Sequence, residues 1–448
     1  MQEISDALSL SGAASRMTGS GLLPSRYAVT DLLASSVGAV GEALVALMAD
    51  SGLVAAAPMV SVDRRLASLW AGQSIVPLGW EMPPVWDAIA GLYQTRDGWI
   101  RLHTNLPHHR AAALSVLSVA AEREAVAAAV RGWDKDALET AIVDAGGVAA
   151  AMRSRAEWRA HPNGAAVGAE PLVAFDQPAA SVAPRWAGRP DRPLAGLKVL
   201  DLTRVLAGPV STRTLAGFGA QVLRIDPPGW DEANVVPDIT LGKRCAMLDL
   251  RDASDRARFE TLLRGADLLV HGYRPAALAA LGYAPKALQA LRPGLIEVTL
   301  DAYGWTGPWA GRRGFDSLVQ MSCGIADAGM NWAAADQPTP LPVQALDHAT
   351  GYLMAAAALV LLRRAVAGEG AGRARLSLAR TAELLCAHRQ MASGHLGLAH
   401  LEGDHQAAEE QTPWGPARRL RPALDVAGVP MRWDLPAADL GTADPVWV

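Results

Sequence analysis

Hydrophobic spacing divides the chain into stretches of different texture. From Val29 to Met48, "VTDLLASSVGAVGEALVALM" carries apolar residues at helical spacing. "YQTRDGWIRLHTN" (Tyr93 to Asn105) alternates instead and predicts a strand pair turning at Asp97-Gly98. Ala- and Glu-rich helical sequence follows, so this region reads as a small α+β unit. Beyond "PAASVAPRWAGRPDRP" (Pro178 to Pro193), which has neither period and reads as a linker, short apolar runs alternate with helix-like segments. "LKVLDLT", "AQVLRIDPP", "ADLLVHGY" and "PGLIEVTLDAYG" predict buried strands, and "AGPVSTRTLAGFG" and "PAALAALGYAPKALQAL" predict helices between them. Strands alternating with helices over short connections predict an α/β fold with a mostly parallel, Rossmann-like sheet covered on both faces. The resulting organisation is a helical segment over 1–85, a small α+β domain over 86–177, a linker over 178–192, the sheet-bearing domain over 193–390, and a tail over 391–448 packed on that large domain.

One apolar helix carries a charge at its head. In "VQALDHATGYLMAAAALVLL" (Val343 to Leu362), Asp347 precedes a long run of small and apolar residues. Helix capping explains an aspartate there, and capping does not exclude a chemical role. The segment also has an echo: "SSVGAVGEALVALM" resembles "HATGYLMAAAALVLL", and each is followed by a similar strand-helix segment, "VSVDRRLASLWAG" and "LSLARTAELLCA". Aligning Gly38 with Gly351 puts Ala34 opposite Asp347 and leaves the first copy without a carboxylate there; coincidence between two Ala- and Leu-rich helices is the alternative.

Composition narrows the function classes. With 448 residues, half of them hydrophobic, the chain can bury more than one core. A net charge of −4 without long blocks of either sign gives no reason to expect nucleic acid or a membrane as partner. The longest uncharged apolar run, Ala349 to Leu362, is shorter than the roughly 20 residues of a membrane span. The N-terminal sequence does not read as a signal peptide. Cys245, Cys323 and Cys386 form neither a CxxC pair nor a Cys/His cluster, which fits a reducing cytoplasm and gives no zinc site. The cluster His103, His108 and His109 lacks a carboxylate or cysteine at ligand spacing, and Pro107 argues against a regular helix there; the cluster is therefore not read as a metal site.

Candidate chemistry concentrates at strand ends. The turn "TRVLAGPV" follows the first strand of the large domain, where doubly wound sheets hold their ligands, but one glycine does not make GxGxxG and no GxxxxGK[ST] loop occurs. A nucleotide here would lean on cations: Arg204, Arg224, Lys243, Arg244, Arg274 and the Arg312-Arg313 pair all fall at strand ends or loops.

Taken in order, "PLAGLKVLDLTRVLAGPVSTRTLAGFGAQVLRIDPPG", "GKRCAMLDLRD", "ADLLVHGYRPAALAALGY", "LRPGLIEVTLDAYGWTGPWAGRRGFDSLVQMSCGIAD" and "ALDHATGYLMAAAALVLLRR" resemble the motifs of the family III CoA-transferases, the CaiB/BaiF family. The resemblance runs from about Pro193 to Leu385. It implies an acyl-CoA:carboxylate CoA-transferase, a cytoplasmic homodimer that takes an acyl-CoA and a carboxylic acid and uses coenzyme A as acyl-CoA substrate without a metal. The family's nucleophilic aspartate matches Asp347, which would pass through aspartyl anhydride and aspartyl-CoA thioester intermediates. Contacts to CoA would fall to Arg204, Val205, Leu206, Ala207, Arg224, Lys243, Arg244, Arg274 and Arg313, and Tyr303 and Trp305 could line an acyl pocket.

Two departures from the family pattern matter. Segments resembling its small domain precede the CoA-binding half here instead of following it, which implies rearranged or partly duplicated domain order. A non-catalytic CoA-binding subunit is therefore an alternative function. Related racemases place a histidine in "GHD", whereas "GFD" here puts Phe315 at that position. A racemase or isomerase thus lacks its usual second base unless His348 substitutes.

Overall fold

The computed structural model describes residues 2–10, 12, 14–176, 186, 188–370, 372–390 and 398–448. Most of the expected linker, 178–185 and 187, lies outside the described residues, as does the start of the tail, 391–397.

The expected α/β sheet is present. Seven strands lie in the order Lys243–Met247, Gln221–Asp226, Lys198–Leu202, Leu268–His271, Ile296–Asp301, Arg373–Ser377 and Ala174–Phe175. All neighbouring pairs are parallel except the last, where Ala174–Phe175 runs antiparallel to Arg373–Ser377. The strands are buried on both faces, as near-continuous apolar runs such as "VLDL" and "LLV" require. From Lys198–Leu202 the chain builds outward to one side, then returns to build the other side from Leu268–His271. The order therefore reverses between these two strands, which marks the point beyond whose carboxyl ends a doubly wound sheet holds its ligands.

Two long apolar helices, Val29–Asp50 and Ala345–Val366, form the centre of the main core and pack against each other. Each is long and apolar enough to cross a membrane by length and composition, but burial inside this protein accounts for that composition. Ala345–Val366 also packs on Ala207–Gly217, and Gly351 makes the approach possible: a Cβ there would lie 2.4 Å from the carbonyl oxygen of Ala207.

The echo is structural, but its register differs from the glycine alignment. Both helices have 22 residues and start from the same backbone turn, with φ/ψ of −75°/61° at Ala28 and −75°/64° at Gln344. In each, the first helical N–H bonds two residues back at 2.8 Å, Val29 to Tyr27 and Ala345 to Val343. Each leads into a strand and a capped helix, Val60–Asp63 with Arg64–Trp70, and Arg373–Ser377 with Leu378–Ala387. Matching the helix starts puts Asp31, not Ala34, opposite Asp347. A slip of three residues is almost one helical turn, so apolar periodicity alone could not detect it.

The small unit is a three-stranded antiparallel sheet, Gly91–Gln94, Trp99–Leu102 and Ala149–Ala151, backed by the helices Pro107–Leu117, Arg123–Val130 and Lys135–Asp144. Pro107 does not prevent a helix; it starts one, at the first helical position, where its missing N–H costs nothing. The unit docks on the large domain through Val148 and Ala150 against Leu318 and Met321, and through the half-buried Arg155–Glu383 ion pair at 2.8 Å. Segments from the two chain ends share sheets, Leu424–Val426 beside Val60–Asp63 and Gly415–Arg419 beside Ile75–Pro77. The final residues run along the outer strand, where the Ala443 N–H donates to the Cys245 carbonyl.

Candidate active site

The crevice predicted by the strand order is a cavity of about 470 Å³. Its walls are the turns after three strands: Leu202 to Gly208, Gly272 to Arg274, and Leu300 to Ala302, with Arg312 to Phe315 across from them. The helix Ala207–Gly217 begins at this rim without a side-chain cap, so its first N–H groups are presented to a ligand.

The structure brings Arg204, Val205, Leu206, Ala207, Arg274, Arg313 and Asp347 to this one cavity, together with Arg312. Arg204 lies over the Trp230 ring at 4.7 Å and donates to the Tyr273 hydroxyl, which fixes its guanidinium at the mouth. Arg274 is exposed at the same rim.

Three sequence candidates are placed elsewhere. Arg224 is fully buried and spent on Asp226, at 2.7 Å, and on Glu232. Lys243 is equally buried and donates to Asp201 and to the Pro209 carbonyl, both at 3.0 Å. Both alternate inward along their strands, and a buried cation needs its carboxylate more than a surface site needs the cation. Arg244 points the other way and donates to the Val446 and Asp444 carbonyls of the C-terminal segment. Tyr303 and Trp305 do not line the cavity either: Tyr303 is buried against Ser322, and Trp305 borders a separate hollow with Glu170 and Arg375.

Asp347 is the third residue of its helix and not its cap; Gln344 occupies the N-cap without a side-chain bond. The cap comes from a different helix. Asp316, first residue of Asp316–Ser322, accepts the Asp347 N–H at 2.9 Å and also that of Leu346. Gln320 in turn donates to the second carboxylate oxygen of Asp316, and its own carbonyl accepts from the Leu341 N–H at 2.7 Å. Asp347 itself is 7% exposed. Burial, and then the neighbouring Asp316, push its carboxyl well above the ordinary range, while burial pushes Asp316 up to about 6. Asp316 was missed in the sequence, although it stands in the quoted "GFD".

A second cavity of about 100 Å³ opens on the other side of Asp347. Val85, Trp86, His103 and Leu106 of the N-terminal half face Val205, Leu206, Trp230, Val235 and Phe315 across it. The His103 ring stacks flat on Phe315 at 3.9 Å between centroids, and burial holds its pKa down at about 3. His348 lines neither of these cavities; its imidazole is buried and kept neutral, with Arg213 as its nearest cationic influence.

Val205 borders both cavities and adopts φ +64°, a left-handed backbone that a β-branched residue rarely accepts. Such strain costs on the order of 1–3 kcal/mol and persists only where surroundings enforce it. Here the Val205 N–H donates to Glu232 at 2.9 Å, and Glu232 is itself anchored by Arg224. The buried cation thus shapes the site at one remove. Asp31 has no comparable setting: its side chain is 49% exposed and is paired with Arg64.

The model of CoA-transferase family III matches residues 194–419, half of the chain. Over 191 residues the chain is 36% identical to an acetyl-coenzyme A transferase of Hypoxylon pulicicidum, covering 41% of this chain and 32% of that protein. It is 31% identical over 193 residues to a Mycobacterium tuberculosis protein named "Probable fatty acyl-CoA transferase", covering 39% and 47%. To the human succinyl-CoA:glutarate CoA-transferase it is 29% identical over 207 residues, covering 41% and 46%. A crystal structure of the Mycobacterium tuberculosis protein superposes with a TM-score of 0.40 at 28% identity, covering 44% of this chain and 57% of that one. The chain spans about half or less of the length of these curated relatives. With the family's motifs placed around one crevice and half the chain matched by its model, this protein belongs to CoA-transferase family III.

Proposed function

We propose that the protein moves CoA from an acyl-CoA donor to a carboxylic acid, with Asp347 as the nucleophile. The observation that carries this is the position of one carboxylate where a cation-rimmed crevice meets an apolar cavity. The crevice suits the phosphates and pantetheine of CoA, and the apolar cavity suits an acyl group.

In the reaction, an Asp347 oxygen attacks the donor thioester carbonyl; the C–S bond breaks and CoA leaves as thiolate. The resulting acyl-aspartyl anhydride is attacked by that thiolate at the aspartyl carbonyl, which releases the donor acid as a carboxylate and leaves an aspartyl-CoA thioester. The acceptor carboxylate then attacks the thioester, and the thiolate attacks the acceptor half of the new anhydride. Asp347 is regenerated with no net proton change. Oxyanions formed on the way need N–H donors. The helix start beside Asp347 cannot supply those of Leu346 and Asp347, which Asp316 occupies. The uncapped start at Ala207 and Gly208 is the better source.

Both walls of the apolar cavity come from one chain, with residues 85–106 facing residues 205–235. This supports catalysis by the chain itself over a role as a non-catalytic CoA-binding subunit. A racemase reading would need a base beside Asp347, and neutral His103 is the imidazole on that cavity; solvent deuterium at the acyl α-carbon without an acceptor acid would establish it. The transferase reading is tested with Asp347→Asn: the loss of transfer should exceed about a thousandfold while CoA binding persists, and retained transfer overturns it.

A further inference from the structure

The apolar cavity carries charge of one sign only. Its charged or ionisable lining consists of Asp231, Glu232, Asp316, Asp347 and the imidazole of His103; among the described residues no lysine or arginine lines it. His103 offers no cation at neutral pH, since burial and the nearby Arg101 hold it unprotonated. Arg101 stands behind the wall, its guanidinium 4.6 Å over the Trp86 ring; its charge acts on Asp316 and His103, but it is not itself one of the lining residues. The remaining polar complement is neutral: Asn105, Asn234 and Ser317, together with the buried Trp230 Nε1 and Gln344 Oε1, which both lack a partner among the described residues. The arginines of the site all lie on the CoA side.

Taking the proposed transfer as given, we infer that the acyl cavity selects monocarboxylic acids with short, uncharged tails and rejects dicarboxylic acids. An acceptor presents one carboxylate to Asp347, which leaves its tail in the cavity. A second carboxylate on that tail would enter a space walled by acids and aromatic rings, with no cation among the described lining residues to replace its lost hydration. Size sets the other limit, because an apolar cavity of about 150 Å³ holds a benzene ring and this one is about 100 Å³. Relatives of this chain are named for oxalate, citramalate or glutarate, so dicarboxylates are within the family's range and their exclusion here would be a property of this cavity.

The test compares kcat/KM for butyrate and valerate with succinate and glutarate at saturating acetyl-CoA, beside the melting temperature of the CoA-bound protein with each acid. Butyrate and valerate should be favoured by at least a hundredfold, and they alone should raise the melting temperature. Asn234→Arg, which places a cation at the cavity rim, should narrow that preference by tenfold or more. Succinate or glutarate within tenfold of butyrate in the wild type overturns the inference. If no acid accepts CoA, the transferase reading fails and melting temperature decides the inference: a rise with butyrate and none with succinate supports it, and any other pattern overturns it.

Discussion

The Asp316 carboxylate accepts the backbone N–H of Asp347 at 2.9 Å, so the nucleophile's helix is capped by a second buried acid and not by its own. The pair shares a low-dielectric pocket, and the Asp316 charge raises the cost of ionising Asp347. The kcat/KM profile should therefore show an acid limb with an apparent pKa above the ordinary carboxylate range, belonging to the pair. Asp316→Asn keeps an acceptor for the N–H and removes the like charge. Its acid limb should move to lower pH; an unmoved limb would detach Asp316 from the titration.

The same burial makes Asp347 a stability cost. Its pKa is higher folded than unfolded, so between those two values the native state holds a proton the unfolded chain has lost, and stability falls as pH rises. Asp347→Asn should therefore raise the melting temperature at neutral pH, and the gain should vanish as pH falls below the unfolded value of about 4. Calorimetry across pH checks the sign.

Cations at the crevice and cations in the core should separate cleanly. Replacing Arg274 or Arg313 by Gln removes charged contacts worth roughly 1.5–3 kcal/mol each, which raises KM for the donor about ten- to a hundredfold with little change in folding. Lys243→Met instead leaves Asp201 buried without its partner and should cost about 3–5 kcal/mol of stability. Donor kinetics with urea unfolding of the same variants distinguishes the two.

Gly351→Ala would push a Cβ into the Ala207 carbonyl and Val210, and overpacking of this kind costs about 1–3 kcal/mol. Because Ala207 also starts the helix at the crevice, turnover should fall with stability. Asp31→Asn, by contrast, should leave turnover unchanged, since that side chain is exposed and paired with Arg64.

The sheet, the placement of its strands and the position of Asp347 at a helix start were legible because apolar runs and Pro/Gly stops are local signals. The cation assignments were only partly so. Arg204 and Arg224 both sit near strand ends, yet one follows its strand and faces the crevice while the other lies within its strand and points into the core. That distinction depends on strand register and on the distant Glu232. Asp316 escaped because a carboxylate that caps another helix leaves no trace in its own. Leu106 and His103 escaped because nothing in the sequence says which domain the small unit covers.

The most direct measurement is mass analysis after incubation with acetyl-CoA and hydroxylamine. An aspartyl-CoA thioester should be captured as a hydroxamate at Asp347, in wild type and not in Asp347→Asn. Full transfer activity with Asp347 unmodified, or a hydroxamate formed at a different carboxylate, would contradict the account.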